Sequence, residues 1–204
     1  YGTEAWGRVV RRGFKGSLSL APASDHVLYI EAGYDSYTGQ NVMENQAVSG
    51  TIVFGRSIPG QKAELFVGGA LTAMAFEKNT NHYTFGHGGY FSPQSFISLG
   101  PSIRINSRPC KTLWFDASAS VSYLSHSTDS TPQYPFNQSG APGEFEGDSF
   151  SGGGFSLKGE VRKLLAPKWS LGASFNYDKS SDYTQWQAGL GLRYLMEGRT
   201  AVSP

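Results

Sequence analysis

Hydrophobic and polar side chains alternate with a period of two along most of this chain, most cleanly between Trp169 and Met196. Trp169, Leu171, Ala173, Phe175 and Tyr177 fall on one face of an extended segment, with Ser170, Gly172, Ser174 and Asn176 on the other. After a short polar turn, Trp186, Ala188, Leu190, Leu192 and Tyr194 repeat the oily face against Gln187, Gly189, Gly191 and Arg193. The pattern predicts a β-hairpin with one oily and one wet face. Aromatics sit at the ends of the oily face and small aliphatics in its middle: Trp169 and Tyr194 mark one end, Tyr177 and Trp186 the other. A bilayer imposes that order, with amphipathic rings at both headgroup levels around an apolar band. The wet face, rich in Gly and Ser, is a poor sandwich core and an ordinary barrel lumen.

The same rule predicts about ten strands. Thr3–Arg11 reads as a weak strand that turns at Arg12-Gly13 into a better one carrying Phe14, Gly16, Leu18 and Leu20, and Ala21–Asp25 as a short turn. In the third strand Leu28, Ile30, Ala32 and Tyr34 oppose Tyr29, Glu31 and Gly33, and Glu31 fixes the phase because a carboxylate faces lipid only at high cost. The polar stretch Asp35–Asn45 is expected to form a longer loop, followed by a strand with Val48, Ile52 and Phe54 outward that ends at Ser57-Ile58-Pro59-Gly60. Ala63–Phe76 is apolar on both faces, and Glu64 argues for Leu65, Val67 and Leu71 outward. After a loop over Glu77–Gln94, Ile97, Leu99, Ile103 and Ile105 oppose Phe96, Ser98, Ser102 and Arg104, with a bulge expected at Pro101. Asn106–Lys111 turns the chain; then Leu113, Phe115, Ala117, Ala119, Val121 and Tyr123 oppose Trp114, Asp116, Ser118, Ser120 and Ser122. A loop rich in Ser, Pro and Gly, Ser125–Gly153, precedes a strand with Phe155, Leu157, Gly159 and Val161 outward against Ser156, Lys158, Glu160 and Arg162.

Turns near Ala21, Pro59, Pro109 and Pro167 are short and loops near Gln40, His87 and Pro135 long, the alternation of periplasmic turns and surface loops in bacterial barrels. Strand parity then starts the first strand on the periplasmic side, where the last one ends, and places whatever precedes Tyr1 there. The final strand also resembles the insertion signal of outer-membrane barrels through Gln187, Gly189, Leu192 and Tyr194.

Composition agrees with an all-β transmembrane antiparallel barrel. The 204 residues are 39% hydrophobic, 14% aromatic and 16% charged, with Gly 26 and a mean hydropathy of -0.33. No run approaches 18 consecutive apolar residues, so a helical membrane protein is excluded, whereas a barrel shows lipid only alternate residues. Net charge +1 and a pI near 8.0 provide no field for nucleic acid. The single cysteine, Cys110, has no disulfide partner or metal-ligand company and is expected in a turn. The chain opens at Tyr1 without a signal peptide, which an outer-membrane protein would need upstream.

The most distinctive string is YTFGHGGYFSPQSFISLGPSI, Tyr83–Ile103. Its GHGGYFSPQ core, with AWGRVVRRGF (Ala5–Phe14), AGYDSYTGQNVMEN (Ala32–Asn45) and the Trp169–Met196 hairpin, resembles the C-terminal barrel domain of the bacterial cellulose synthase operon protein C family. The resemblance implies an outer-membrane cellulose export barrel in a Gram-negative bacterium. Periplasmic tetratricopeptide repeats would connect it to an inner-membrane cellulose synthase complex, and the barrel assembly machinery would insert it. Family members look to have a barrel of about sixteen strands, so residues 1–204 would be the C-terminal part of one.

Chemistry-bearing motifs are sparse. Gly86-His87-Gly88-Gly89 lacks the Lys-Ser/Thr of a phosphate loop, and His82 and His87 have no third ligand at metal spacing. Glu144, Glu146 and Asp148 read as a solvated acidic loop rather than a calcium site. Ser125 and His126 are adjacent, so on a strand they point oppositely, which argues against a barrel hydrolase; a surface adhesin is the other alternative. No enzyme activity, cofactor, metal or nucleic-acid partner is expected.

The expected function is passive export of β-1,4-glucan. Tyr29, Phe96 and Trp114, with Phe66, are inward aromatics suited to pyranose faces. Glu31, Arg104, Asp116, Glu160, Arg162 and Arg193 offer hydrogen bonds to hydroxyls, the alternative being structural charge pairs. His87, Tyr90 and Phe91 belong to a loop expected to gate the exit. A sheet of about ten strands encloses little space, so upstream strands or partner chains are expected to complete the pore.

Overall fold

The computed structural model describes residues 5–108, 112–136, 143–180 and 184–196. The elements in chain order are β1 (Gly7–Ala23), β2 (His26–Gln40), β3 (Val42–Pro59), β4 (Ala63–Phe76), β5 (Ser95–Ser107), β6 (Leu113–Thr128), β7 (Thr131–Pro132), β8 (Glu144–Phe145), β9 (Asp148–Ala166), β10 (Trp169–Lys179) and β11 (Thr184–Tyr194). The fold is all-β. Nine strands make one antiparallel sheet in the order β1-β2-β3-β4-β5-β6-β9-β10-β11, and β7 and β8 pair with each other inside the β6–β9 connection. Among the described residues no ladder joins β1 to β11, so both are open edges.

Register keeps two chemically different faces apart across all nine strands. Tyr34 lies opposite Phe14 and Val48, Leu71 opposite Ile52 and Leu99, Tyr123 opposite Leu99, Phe155 opposite Val121, and Tyr177 opposite Leu157 and Trp186. Leu65 and Val67 pair with Ile105 and Ile103, which places them on this apolar face as Glu64 had argued. The intervening residues form the opposite, polar face, which turns apolar along β4 and its neighbours, with Val53, Phe66, Met74 and Phe76. Apolar side chains are not buried between layers: Val121 is 57% exposed and Leu99 59%. Among the described residues the buried hydrophobic ones are only Val42, Ala47, Phe76 and Trp114.

The polar face is concave. A groove of ≈ 550 Å³ is lined by Tyr29 of β2, Val53 of β3, Phe66 of β4, Arg104 of β5 and Ser118 of β6, side chains that a flat sheet would hold in a row.

Several expectations are corrected. Arg12-Gly13 is not a turn: β1 runs straight through it, pairing with β2 from Gly13↔Asp35 to Leu20↔Leu28. A Cβ on Gly13 would collide with the Tyr34 carbonyl oxygen and the Asp35 carboxylate, so its missing side chain makes a close strand pair rather than a reversal. Losing that turn leaves nine strands in the sheet, and β1 begins at the long-loop end, opposite the end where β11 finishes. Asp35–Asn45 is not a loop either. β2 extends to Gln40, Asn41 reverses the chain at φ 53, and β3 starts at Val42. Pro101 makes no bulge, because β4 pairs through it in unbroken register and the β5–β6 register is the same on both sides. β6 and β9 also reach further into the Ser125–Gly153 stretch than expected, to Thr128 and from Asp148. Cys110, the residues around Lys111 and the start of the expected first strand at Thr3 lie outside the described residues.

Two substitutions in β1 separate close approach from simple strand propensity. Gly13→Leu should lower unfolding free energy by about 1–3 kcal/mol through overpacking. Gly16→Leu, whose added carbon meets nothing within 4 Å, should stay within about 0.5 kcal/mol of the parent. Equal losses in denaturant unfolding would show that Gly13 has no special packing role.

Candidate functional site

The concave polar face carries charge in local pairs. Arg11 reaches Asp35 at 2.6 Å and Lys15 reaches Glu31 at 2.7 Å, with the Tyr29 hydroxyl donating to the same carboxylate at 2.8 Å. Further along the sheet Arg104 Nε donates to Asp116 at 2.8 Å and Asn106 adds a second bond to it at 2.7 Å. Arg162 pairs with Glu160 at 2.6 Å, and its guanidinium carbon lies 5.4 Å from the ring centroid of buried Trp114. Arg193 lies opposite Ser170 and lines a groove of ≈ 370 Å³ with Glu160, Arg162 and the Gly172–Gly191 pair. These pairs spread alternating charge along the wall without leaving a field of one sign.

Over one end of this wall lies the 77–94 connection, held by its own polar network. Asn45 anchors its start: its Oδ1 accepts from the backbone N–H groups of Gln46 and Lys78 at 2.9 and 3.0 Å, and its Nδ2 donates to the Lys78 carbonyl at 2.7 Å. Thr80 N donates to Ser92 Oγ at 2.7 Å, and Ser92 N donates to Asn81 Oδ1 at 2.6 Å, pinching the loop across its base. The tip folds back because Gly86 and Gly89 adopt φ of 101° and 66°, which bulkier residues resist. Met43 N donates to the Gly86 carbonyl at 2.8 Å, docking the tip on β3.

The tip also bridges the two sides of the sheet. Trp6 Nε1, just before β1, donates to the His87 carbonyl at 2.9 Å, while His87 Nε2 meets the Pro132 carbonyl of β7 at 2.8 Å. Thr84 donates to the Gln133 carbonyl at 2.6 Å and Asn79 to that of Asp129 at 2.7 Å. The His82 ring stacks on Phe145 of β8 at 3.7 Å. From this platform Tyr90 stacks on Tyr37 at 4.7 Å and nears Phe76 at 5.9 Å, both on the polar face. Phe91 meets Phe96 at 6.2 Å and His126 at 5.2 Å edge-on.

The cellulose synthase operon protein C C-terminus family model matches residues 1–197 of this chain. The chain belongs to that family. It is 30% identical over 207 residues to cellulose synthase operon protein C of Pseudomonas fluorescens (strain SBW25), covering 98% of this chain and 16% of that protein. It is 33% identical over 223 residues to cellulose synthase 1 operon protein C of Komagataeibacter xylinus, covering 95% of this chain and 16% of that protein. It is 24% identical over 202 residues to cellulose synthase operon protein C of Escherichia coli (strain K12), covering 95% of this chain and 17% of that protein. This member of the family therefore spans about one-sixth of the length of those curated relatives.

Every wall residue singled out from the sequence lies on the polar face: Tyr29, Glu31, Phe96, Arg104, Trp114, Asp116, Glu160, Arg162 and Arg193. They do not converge on one point but are distributed from β2 to β11. Ser125 falls on the apolar face opposite Ile97, and His126 on the polar face between Phe91 and Phe150. Sequence reasoning missed Arg11, Lys15, Asp35 and Tyr37, because a presumed turn and a presumed loop interrupted the alternation that would have placed them. It also missed Asn45, Thr80 and Ser92, whose partnership no periodic signal encodes.

Burial holds His82 and His87 below the ordinary histidine value. The His87 charge adds to the effect at His82, and the Pro132 hydrogen bond partly offsets it at His87. A released loop therefore binds more protons than a packed one, so packing is fully favoured above about pH 6.5 and weakens as pH falls below it. Hydrogen exchange of the 80–92 amides, corrected for intrinsic rates, should lose protection between pH 7.5 and 5, and H82Q/H87Q should flatten that dependence. Protection unchanged with pH in the parent would contradict this account.

Proposed function

We propose that this chain is the C-terminal part of an outer-membrane channel that conducts cellulose, a β-1,4-glucan, from the periplasm to the surface of a Gram-negative bacterium. A role in cellulose synthesis or secretion fits its family. The observation that carries the channel reading is the inverted placement of oil and charge: the convex face is apolar and exposed, while the concave face holds the ion pairs. A soluble sheet with this much exposed hydrocarbon would aggregate; lipid is the solvent that suits it. The size of the band supports the same reading. From Leu113 to Tyr123 the apolar face of β6 spans ten residue steps, about 33 Å along the strand, which a tilt near 40° projects onto roughly 25 Å of hydrocarbon.

Substrate class follows from the wall. Paired charges give hydroxyl-bearing polymers hydrogen-bonding partners without trapping ions, and Trp114, Tyr29, Phe66 and Phe96 offer ring faces to pyranose C–H groups. The channel performs no chemistry and needs no cofactor or metal. Strands outside this chain complete the wall between β1 and β11, periplasmic repeats deliver glucan from an inner-membrane synthase, and the barrel assembly machinery inserts the whole. The 77–94 loop, on the cell-surface side, gates the exit through Tyr90 and Phe91.

Two experiments test the reading in the full-length protein. Single cysteines at Leu99, Val121, Leu157, Leu171 and Leu190 should label with a lipid-soluble reagent, and those at Ser98, Ser120, Lys158, Ser174 and Gly189 with a water-soluble one; failure of the two sets to separate would sink the barrel. Replacing Tyr90 and Phe91 together by alanine should change glucan secretion or raise permeability to small solutes with insertion intact. Normal secretion and normal permeability would reduce the loop to packing.

A further inference from the structure

We infer that the short-turn rim of the sheet is a docking surface for the headgroups of an anionic phospholipid leaflet, an inference that rests on the membrane reading above. Four cations define it. Lys62 lies in the β3–β4 turn, Arg108 directly after β5, Lys163 near the end of β9 and Lys168 in the β9–β10 turn. All four are exposed, and none pairs with a carboxylate among the described residues. Backbone geometry groups them: Arg108 N donates to the Lys62 carbonyl at 2.9 Å, which brings those two turns side by side.

The carboxylate facing this rim from outside the polar face is Asp25, and it is already engaged by Arg56 at 2.5 Å and by His26 at 2.8 Å. Glu64, Asp116 and Glu160, which share the next level of the sheet, face inward and are engaged by Ser57, Arg104 and Arg162. The opposite end has the reverse character. Its two long connections, 77–94 and 129–147, carry Glu77, Asp129, Glu144 and Glu146 against one cation among their described residues, Lys78, whose Nζ lies 3.7 Å from Glu77. A surface of negative phosphates is therefore attracted to the turn rim, whereas the two long connections hold an excess of acid; the cations at that end, Arg8, Arg12 and Lys179, lie on strands β1 and β10 rather than on the connections.

The position of Lys163 favours lipid over an acidic soluble partner. It lies on the apolar face, cross-strand from Leu113 and Leu171 and two residues before Leu165, which is 55% exposed. A protein docking on the turn tips would not reach that flank. A lysine there covers hydrocarbon with its stem and carries its ammonium toward the headgroups, at the level where Trp169 and Tyr194 meet edge-on at 5.1 Å. Arg56 repeats the arrangement on β3, opposite His26 and Val67.

The test is electron spin resonance of spin-labelled phosphatidylglycerol and phosphatidylcholine in vesicles containing the full-length protein. At low salt the wild type should immobilise the phosphatidylglycerol probe in several-fold preference, on the order of fivefold per engaged cation at most. The preference should fade toward 1 M NaCl and vanish in K62Q/R108Q/K163Q/K168Q, while E144Q/E146Q keeps it. Should the quadruple variant fail to insert, K163Q alone and the salt titration supply the same readout. Equal immobilisation of both probes by the wild type, or a preference that survives the substitutions and the salt, overturns the inference and leaves the membrane reading standing. No immobilised lipid of either kind would overturn the membrane reading itself.

Discussion

The pleat of a β-strand sends successive side chains to opposite faces, and in this chain nearly everything depends on keeping that alternation in phase across the eight ladders of the nine-stranded sheet. A slip of one residue in any ladder would put Arg104 or Glu160 among leucines and the leucines among ion pairs. Continuous pairing from Phe14↔Tyr34 to Tyr177↔Trp186 prevents it. The same pairing satisfies the backbone without help from water, as the membrane setting proposed above would require. Where the ladders stop, at β1 and β11, the described sheet has unfinished hydrogen-bonding edges, the part of the backbone that the alternation alone does not satisfy.

Much of this was legible in the sequence because period-two alternation is a direct image of the pleat. The β9–β10–β11 meander, the outward leucines and each wall residue from Tyr29 to Arg193 were placed by it. It failed where local chemistry imitates a turn. Gly13 follows Arg12 as a reversal would, yet glycine is needed there because Asp35 occupies the space of a side chain. The 35–45 stretch looks like a loop because strands that rise above an apolar band turn polar on both faces, and polarity alone does not distinguish such a strand from a loop. Pro101 lacks one donor, but neighbouring pairs hold its strand in register. The cap network of Asn45, Thr80, Ser92 and His87 was out of reach, since its contacts follow from how distant loops meet in space.

Wall and cap solve different problems with the same residue types. On the wall, charge is neutralised pair by pair and remains accessible to solvent. In the cap, polar groups are buried and satisfied mostly by backbone, which fixes one shape for the loop. The buried exceptions, His87 Nδ1 and the Tyr90 hydroxyl, have no hydrogen-bond partner among the described residues, and both side chains pack against aromatic rings. Such unpaired groups lower the cost of opening the cap relative to a fully satisfied one.

The distances in sequence that the cap spans have a kinetic consequence. Trp6 and His87 are 81 residues apart, and His87 and Pro132 another 45, so the cap needs the β1 and β6 sides of the wall together before its hydrogen bonds can form. Neighbouring hairpins close far shorter loops and win that race. The cap is thus a late product of folding, one that stays undone in any chain whose wall has not yet assembled.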